Sequence, residues 1–209
     1  MRTLVLLLGL ALMAPCARAS DLQVVLHTPK GQPIRDAVVT YFPQAGVAPG
    51  PIRFDWPYRV AQQNLQFDPF VLIVPAGATV AFPNRDTVRH QVYSFSPAHP
   101  FELKLYSRDD TRTVRFDRVG VIALGCNIHD SMVGFVKVVD TPFAAKTDAR
   151  GEVVLHGLPA GGGVLKVWHP YLKAPANELS NTLSLPQGGL VQRAETADVR
   201  SPPIRRNSY

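Results

Sequence analysis

The sequence is short of cysteine, of charge and of long apolar runs, and each shortage excludes something. Cysteine occurs twice, as Cys16 and Cys126. Cys16 falls in a segment read below as removed, so the remaining chain cannot carry an internal disulfide framework. Charged residues make up 18% of the chain and hydrophobic ones 46%. Globular domains average about 25% charged residues, so a solvated polyelectrolyte is excluded and a real core is expected. No apolar run after Met13 approaches the roughly 18 residues that a membrane-spanning helix needs. Helical periodicity beyond two turns is missing as well. The 22 Lys+Arg exceed the 16 Asp+Glu by six. These cations are scattered except for Arg200, Arg205 and Arg206, which gives no basic stripe for nucleic acid.

What is present begins at the amino terminus. Arg2, the apolar run Leu4 to Met13 and the small-residue site Ala17-Arg18-Ala19 read as a secretory signal peptide over residues 1–19, cleaved after Ala19. The mature chain then starts at Ser20 in the periplasm, with its formal charge reduced from +6 to +4 by loss of Arg2 and Arg18. Cys126 is left alone in a compartment where cysteines normally pair, and a lone thiol there needs a reason.

Nineteen prolines and 15 glycines punctuate the chain, which predicts many turns and short strands. Asp21 to Leu26 and Asp36 to Phe42, joined by the turn Thr28-Pro29-Lys30-Gly31, read as a hairpin-like pair. Residues 45–57 are broken by Gly46, Pro49, Gly50, Pro51 and Pro57 and read as a long loop. Six further strands are expected at Phe70 to Val74, Thr79 to Phe82, Gln91 to Phe95, Thr113 to Phe116, Val121 to Leu124 and Met132 to Val139, enough for a sandwich. Val153 to Leu155 and Val164 to Trp168 follow, between turns at Thr147 to Gly151 and Leu158 to Gly161. This region is too short to bury a core alone, as is Asp21 to Pro43, and packing the two together is the simplest remedy. From Pro186 onward, glycine, proline and basic residues suggest a poorly ordered tail.

Chemistry concentrates in two places. Phe82-Pro83-Asn84-Arg85-Asp86 leads by a polar turn to His90 at the start of a strand. Gly125-Cys126-Asn127-Ile128-His129-Asp130-Ser131-Met132 is a loop between strands that carries C-x-x-H-x-x-M. A distant histidine with a tight Cys, His, Met loop is the donor set of a trigonal copper site with a weak axial thioether. A soft thiolate and two imidazoles suit both copper oxidation states, so little rearranges on electron transfer. Zinc competes for Cys and His but prefers four strong ligands. The bland reading of Cys126 as a small buried apolar side chain loses ground because His129 and Met132 share its loop. His27, His99, His156 and His169 carry no metal-ligand spacing, and Ser131 beside Asp130 and His129 makes no hydrolytic triad.

These residues resemble the cupredoxin (plastocyanin-like) family, and within it the bacterial proteins labelled methylamine utilization proteins, over about Tyr58 to Asp140. The motifs are Phe67-Asp68-Pro69 leading into Val71 to Val74, Pro75-Ala76-Gly77, Phe82-x-Asn84-x-Asp86-x-x-x-His90-x-Val92, and the Cys126 loop. The resemblance implies a Greek-key β-sandwich and one copper ion, with His90, Cys126 and His129 equatorial and Met132 axial. Ile122 stands where the second cysteine of a binuclear copper site would be, which excludes that site. Gln91 follows the first histidine where plastocyanins have Asn, so Asn84 is expected to pin the cysteine loop. The flanks, with Gly31-Gln32-Pro33-Ile34-Arg35-Asp36-Ala37 and Thr147-Asp148-x-x-Gly151 through Leu158-Pro159-Ala160-Gly161, resemble a carboxypeptidase-regulatory-like, immunoglobulin-type module.

The expected organisation is an all-β chain: signal peptide 1–19, a β module from 20–44 and 141–185, a cupredoxin domain over 57–140 and a tail over 186–209. The expected function is a mononuclear type 1 (blue) copper protein, not an enzyme, that carries single electrons between unidentified redox partner proteins. Its docking patch is expected around His129 with Met132, Val133 and Phe135. The alternative is a copper-binding or copper-delivery protein, or an exported interaction module without redox turnover.

Overall fold

The structure, a computed structural model, describes residues 18–201. Residues 1–17, which hold most of the expected signal peptide together with Cys16, and residues 202–209 lie outside it. The described chain is all β apart from one short 3-10 turn at Pro175–Asn177. No helix among the described residues is long and apolar enough to cross a membrane.

Five strand groups build two layered halves. In the first half, β1 (Ser20–His27) lies between β13 (Glu152–Leu158) and β16 (Leu190–Thr196), antiparallel to the former and parallel to the latter. Facing them, β2 (Val38–Pro43) and β14 (Gly161–Trp168) are central, with β12 (Ala144–Lys146) and β15 (Glu178–Leu185) at the edges. Strict alternation in β1 puts Leu22, Val24 and Leu26 into the core between these sheets, against Tyr41, Leu155, Leu165 and Val167.

The other half is a five-stranded sheet in the order β5 (Val71–Pro75), β11 (Val133–Val139), β10 (Gly120–Gly125), β7 (His90–Ser94), β8 (Phe101–Tyr106). Two ribbons accompany it: β6 (Ala78–Pro83) with β9 (Thr111–Phe116), and the tight hairpin of β3 (Ala61–Gln63) and β4 (Gln66–Asp68). Val80, Phe82, Val92, Phe116, Ile122, Leu124 and Val136 fill its core. All five residues of β5 are buried. A strand covered on both faces reads as a continuous apolar run: Leu72 and Val74 face this core, while Val71 and Ile73 face a third cluster with Val38, Val139, Ala144 and Trp168. That third cluster is the seam between the halves.

Two expectations are corrected. Asp21 to Leu26 and Asp36 to Phe42 are not a hairpin: β1 and β2 lie in opposite sheets, β1 pairing with β13 and β16 and β2 with β12 and β14. Residues 190–196, expected in a poorly ordered tail, form β16, paired with β1 along seven positions from Asp21↔Leu190 to His27↔Thr196. Ala197 beyond it is buried. The long loop does appear at 46–58, but it is anchored: Trp56 stacks on Phe54 with ring centroids 4.6 Å apart, and its indole N–H donates to Ile73 O at 2.8 Å.

Candidate metal centre

Three strands position the site. His90 opens β7, and one ladder pair, Gly125↔Tyr93, joins β7 to β10. The chain leaves β10 at Gly125 and re-enters β11 at Val133, two residues that pair with each other. The segment 126–132 is therefore a loop closed at its base. Inside it Met132 N–H donates to His129 O at 2.9 Å, a tight turn. Gly125 has a local steric reason: a Cβ there would meet Tyr93 Cζ at 2.6 Å, so glycine lets that ring lie against the peptide preceding Cys126.

The consequence is a compact group of donors. Cys126 Sγ lies 3.7 Å from His90 Nδ1 and 3.8 Å from His129 Nδ1. The two imidazoles are 5.0 Å apart between centroids. His90, Cys126 and His129 are 0%, 2% and 6% exposed, and theirs is the one such metal-ligating group among the described residues. Met132 is buried in the same core cluster as Cys126.

Hydrogen bonds set the protonation of the group. Burial pushes the Cys126 thiol up, but bonds from His90, from the N–H groups of Gln91 and Ile128 and from His129 outweigh it and bring it down to about 6. For His90, burial pulls down while Cys126 and Asp86 push up, and the net direction is up. The cause sits behind the ring. His90 Nε2 meets Asp86 Oδ2 at 2.8 Å, which leaves Nδ1 as the nitrogen facing the thiol. Burial opposes ionisation of Asp86, but donors from Leu65, His90 and Asn64 hold its carboxyl below the usual range. The N–H groups of Asn64 and Leu65 approach its oxygens at 2.6 and 3.0 Å. Both residues sit at the tip of the β3–β4 hairpin with φ of 55° and 56°, the conformation of a two-residue type I′ turn. That turn aims two successive amides at one carboxylate.

Asn84 is fully buried, but it does not pin the cysteine loop as expected. Its Oδ1 accepts from Asp86 N–H at 2.9 Å, and its amide donates to Val88 O and Tyr106 O at 2.9 and 3.2 Å. It shapes the turn that delivers His90. The single hydroxyl proton of Tyr106 is in turn shared between Gln62 Oε1 and Phe82 O, at 2.5 and 2.9 Å, which closes a buried polar network in which every member is paired.

The expected docking patch also changes. Met132 is 1% exposed, and Phe135 packs into the seam on Phe70 and Trp168 at 5.5 and 5.8 Å. The exposed apolar residues near His90 and His129 in sequence are Val88 at 42% and Ile128 at 51%. The remaining described histidines lie apart from the group. His99 packs on Phe116 at 5.0 Å, and His156 bonds Asp21 at 2.9 Å. His169 is buried near Asp36, and burial pulls its pKa down. His27 ends β1.

The donor set suits a soft, trigonal ion. With metal–nitrogen and metal–sulfur bonds of ~2.0 and ~2.3 Å, the observed Nδ1···Sγ separations correspond to angles of about 120° at a shared ion. The sulfur is already biased toward thiolate, the form that binds metal. One thiolate and two imidazoles in a plane match copper better than the four strong ligands of structural zinc.

No family model matches the chain, and no curated protein does. Among solved structures, similarity is found to a purple cupredoxin from Nitrosopumilus maritimus, at 24% identity over 39% of this chain and 98% of the other, TM-score 0.36. An amicyanin variant in its reduced state is 22% identical over 50% of this chain and 99% of its own, TM-score 0.38. A copper-containing nitrite reductase from Thermus scotoductus SA-01 is 23% identical over 56% of this chain, which spans 28% of the reductase, TM-score 0.39.

Proposed function

We propose that this chain is a mononuclear copper protein that carries single electrons between redox partners in the periplasm. The observation that carries the reading is the buried group of one thiol and two imidazoles, with Cys126 Sγ 3.7 and 3.8 Å from the facing Nδ1 atoms. His90, Cys126 and His129 would hold the ion through two imidazoles and a thiolate, with the buried Met132 thioether as a weak fourth donor and Asn84 shaping the turn behind His90. A copper ion held there supplies a one-electron couple whose potential a thiolate and a weak axial ligand tune.

The chain's own contribution is rigidity and dryness. The Gly125↔Val133 pair fixes both ends of the ligand loop, Asp86 fixes the His90 ring, and burial of all four ligand residues keeps water out. A site that does not rearrange suits a carrier rather than a delivery protein. Ile128 and Val88 offer an apolar rim for brief docking of a partner. In this reading residues 57–140 form the copper unit, and 20–44 with 141–199 form a second β unit packed on it.

The test is a copper(II) titration of the mature chain, followed by visible absorption and electron paramagnetic resonance, with Cys126→Ser in parallel. An intense thiolate-to-copper band that saturates at about one equivalent and is absent in the variant supports the reading. Absence of the band in the unsubstituted chain overturns it. Rapid loss of copper to a chelator favours delivery over electron transfer.

A further inference from the structure

β5 is an edge strand of its sheet, and beside it a cavity of about 460 Å³ opens at the seam. It shares no lining residue with the thiol–imidazole group. Trp56, Pro69, Val71 and Leu72 give it apolar walls, and Arg59 and Arg85 also line it. This is the size and place at which small-molecule sites occur: several hundred Å³, mostly apolar, between packed layers, with a few convergent polar groups.

The charges around it decide what it can take. Phe135 N–H donates to Phe70 O, so alternate peptides of β5 face β11 and those of Val71 and Ile73 face outward. Their carbonyls are already occupied: Lys146 Nζ donates to Val71 O at 3.0 Å and the Trp56 indole to Ile73 O at 2.8 Å. Lys146 also pairs with Asp36 at 3.1 Å, a carboxylate that the largely exposed Arg35 shares at 3.2 Å. Arg59 and Arg85 have no such partner: among the described residues no carboxylate makes an ion pair with either guanidinium. Asp68 also lines the cavity. Two guanidiniums against one carboxylate leave one positive charge, with its donors beside an apolar wall.

We propose that this cavity binds a small organic monoanion, a carboxylate held by Arg59 and Arg85 with its hydrocarbon body against Trp56, Pro69, Val71 and Leu72. Guanidiniums bind a carboxylate through paired, charge-assisted hydrogen bonds, and the apolar body supplies the remaining affinity by leaving water. Inorganic anions have the charge without the body and bind more weakly. Two features of the chain's own geometry keep the cavity open: the edge carbonyls are satisfied by side chains rather than by another strand, and Trp56 is held by its bond to Ile73 and its stack on Phe54.

The experiment titrates benzoate, hexanoate and inorganic phosphate into the metal-free mature chain. It uses calorimetry and the indole N–H resonance of Trp56, so the outcome does not depend on whether copper binds elsewhere. Benzoate or hexanoate is expected to saturate with a Kd on the order of 0.1–1 mM and to shift the Trp56 signal, with phosphate at least about tenfold weaker. Arg59→Gln with Arg85→Gln, both at exposed positions that tolerate exchange, is expected to weaken the carboxylates by about tenfold or more while leaving the thermal midpoint unchanged. The proposal fails if neither carboxylate saturates by about 10 mM, if phosphate binds as well as they do, or if a saturable carboxylate leaves the Trp56 resonance unmoved.

Discussion

Asp86 does more for the site than its place in the turn suggests. Its carboxylate accepts from three donors at once, His90 Nε2 and the amides of Asn64 and Leu65. An asparagine there presents one oxygen and one NH₂ to three donors and must leave at least one opposed. Asp86→Asn is therefore expected to free the His90 ring and weaken copper by about 10–100-fold, the usual effect of removing a partner that orients a ligand histidine. Nitrogen NMR of the metal-free protein checks this independently: the Nε2–H of His90 is held in a hydrogen bond to Asp86 in the unsubstituted chain and loses that bond in the variant. Gly125 acts by shape alone. A methyl group placed 2.6 Å from Tyr93 Cζ must push ring or loop aside, so Gly125→Ala is expected to cost about 1–3 kcal/mol in chemical denaturation. Tyr93→Leu in the same chain recovers part of it; equal losses in the single and double variants count against a steric origin.

At the scale of strands, what the sequence made legible follows from what each strand buries. β5 is apolar throughout because both its faces are covered, and β1 alternates because one is; both patterns survive in the linear text. His90, Cys126 and His129 were legible because their side chains are chemically distinctive and two of them share a loop. Asp86 was not, since its role depends on a hairpin tip more than twenty residues earlier folding back onto it. Nor was β16, whose burial pattern never reaches full burial; it is held largely by main-chain pairing with β1, which leaves little trace in side-chain hydrophobicity. The hairpin expected of β1 and β2 failed for a related reason: neighbours in sequence usually pair, and here each pairs with strands more than a hundred residues away. β16 carries its own prediction. A chain ending at Pro186 leaves one edge of β1 open and strips Val191, Ala197 and Val199 from the core. It is expected to lose about 2–4 kcal/mol, to melt about 5–15 °C lower and to self-associate through the bared edge. The copper band is expected to persist, because the ligand strands belong to another sheet; its disappearance would mean that the halves do not fold independently.

For the molecule as a whole, the question is what fastens one half to the other. The apolar seam is flanked by an ion triad. Lys137 on β11 meets Glu178 on β15 at 3.3 Å, and Lys166 on β14 meets the same carboxylate at 3.0 Å. Lys137 also lies 5.3 Å from the Trp168 ring. The two sides of the pair respond differently. For Lys137, burial outweighs the attraction of Glu178 and holds the ammonium below the usual lysine range. For Glu178, burial is outweighed by the two lysines and the carboxyl is held below its ordinary value. The stabilisation therefore resides on the glutamate. A carboxyl whose folded pKa is depressed contributes above its unfolded pKa and loses that contribution as pH falls through the folded one. Glu178→Gln removes the charge and leaves two ammoniums facing each other, one of them partly screened by solvent. At neutral pH it is expected to cost about 1–2 kcal/mol, measured by denaturant titration. The difference from the unsubstituted protein shrinks as pH falls from the ordinary glutamate range through the depressed folded pKa, below which both chains carry a neutral side chain at this position. Lys137→Met, which removes the buried ammonium but keeps Lys166 for Glu178, is expected to cost less. If Glu178→Gln is as harmful in acid as at neutral pH, the triad contributes packing rather than charge, and the apolar cluster of Val71, Ile73, Val139 and Trp168 alone fastens the half that carries the thiol–imidazole group to its neighbour.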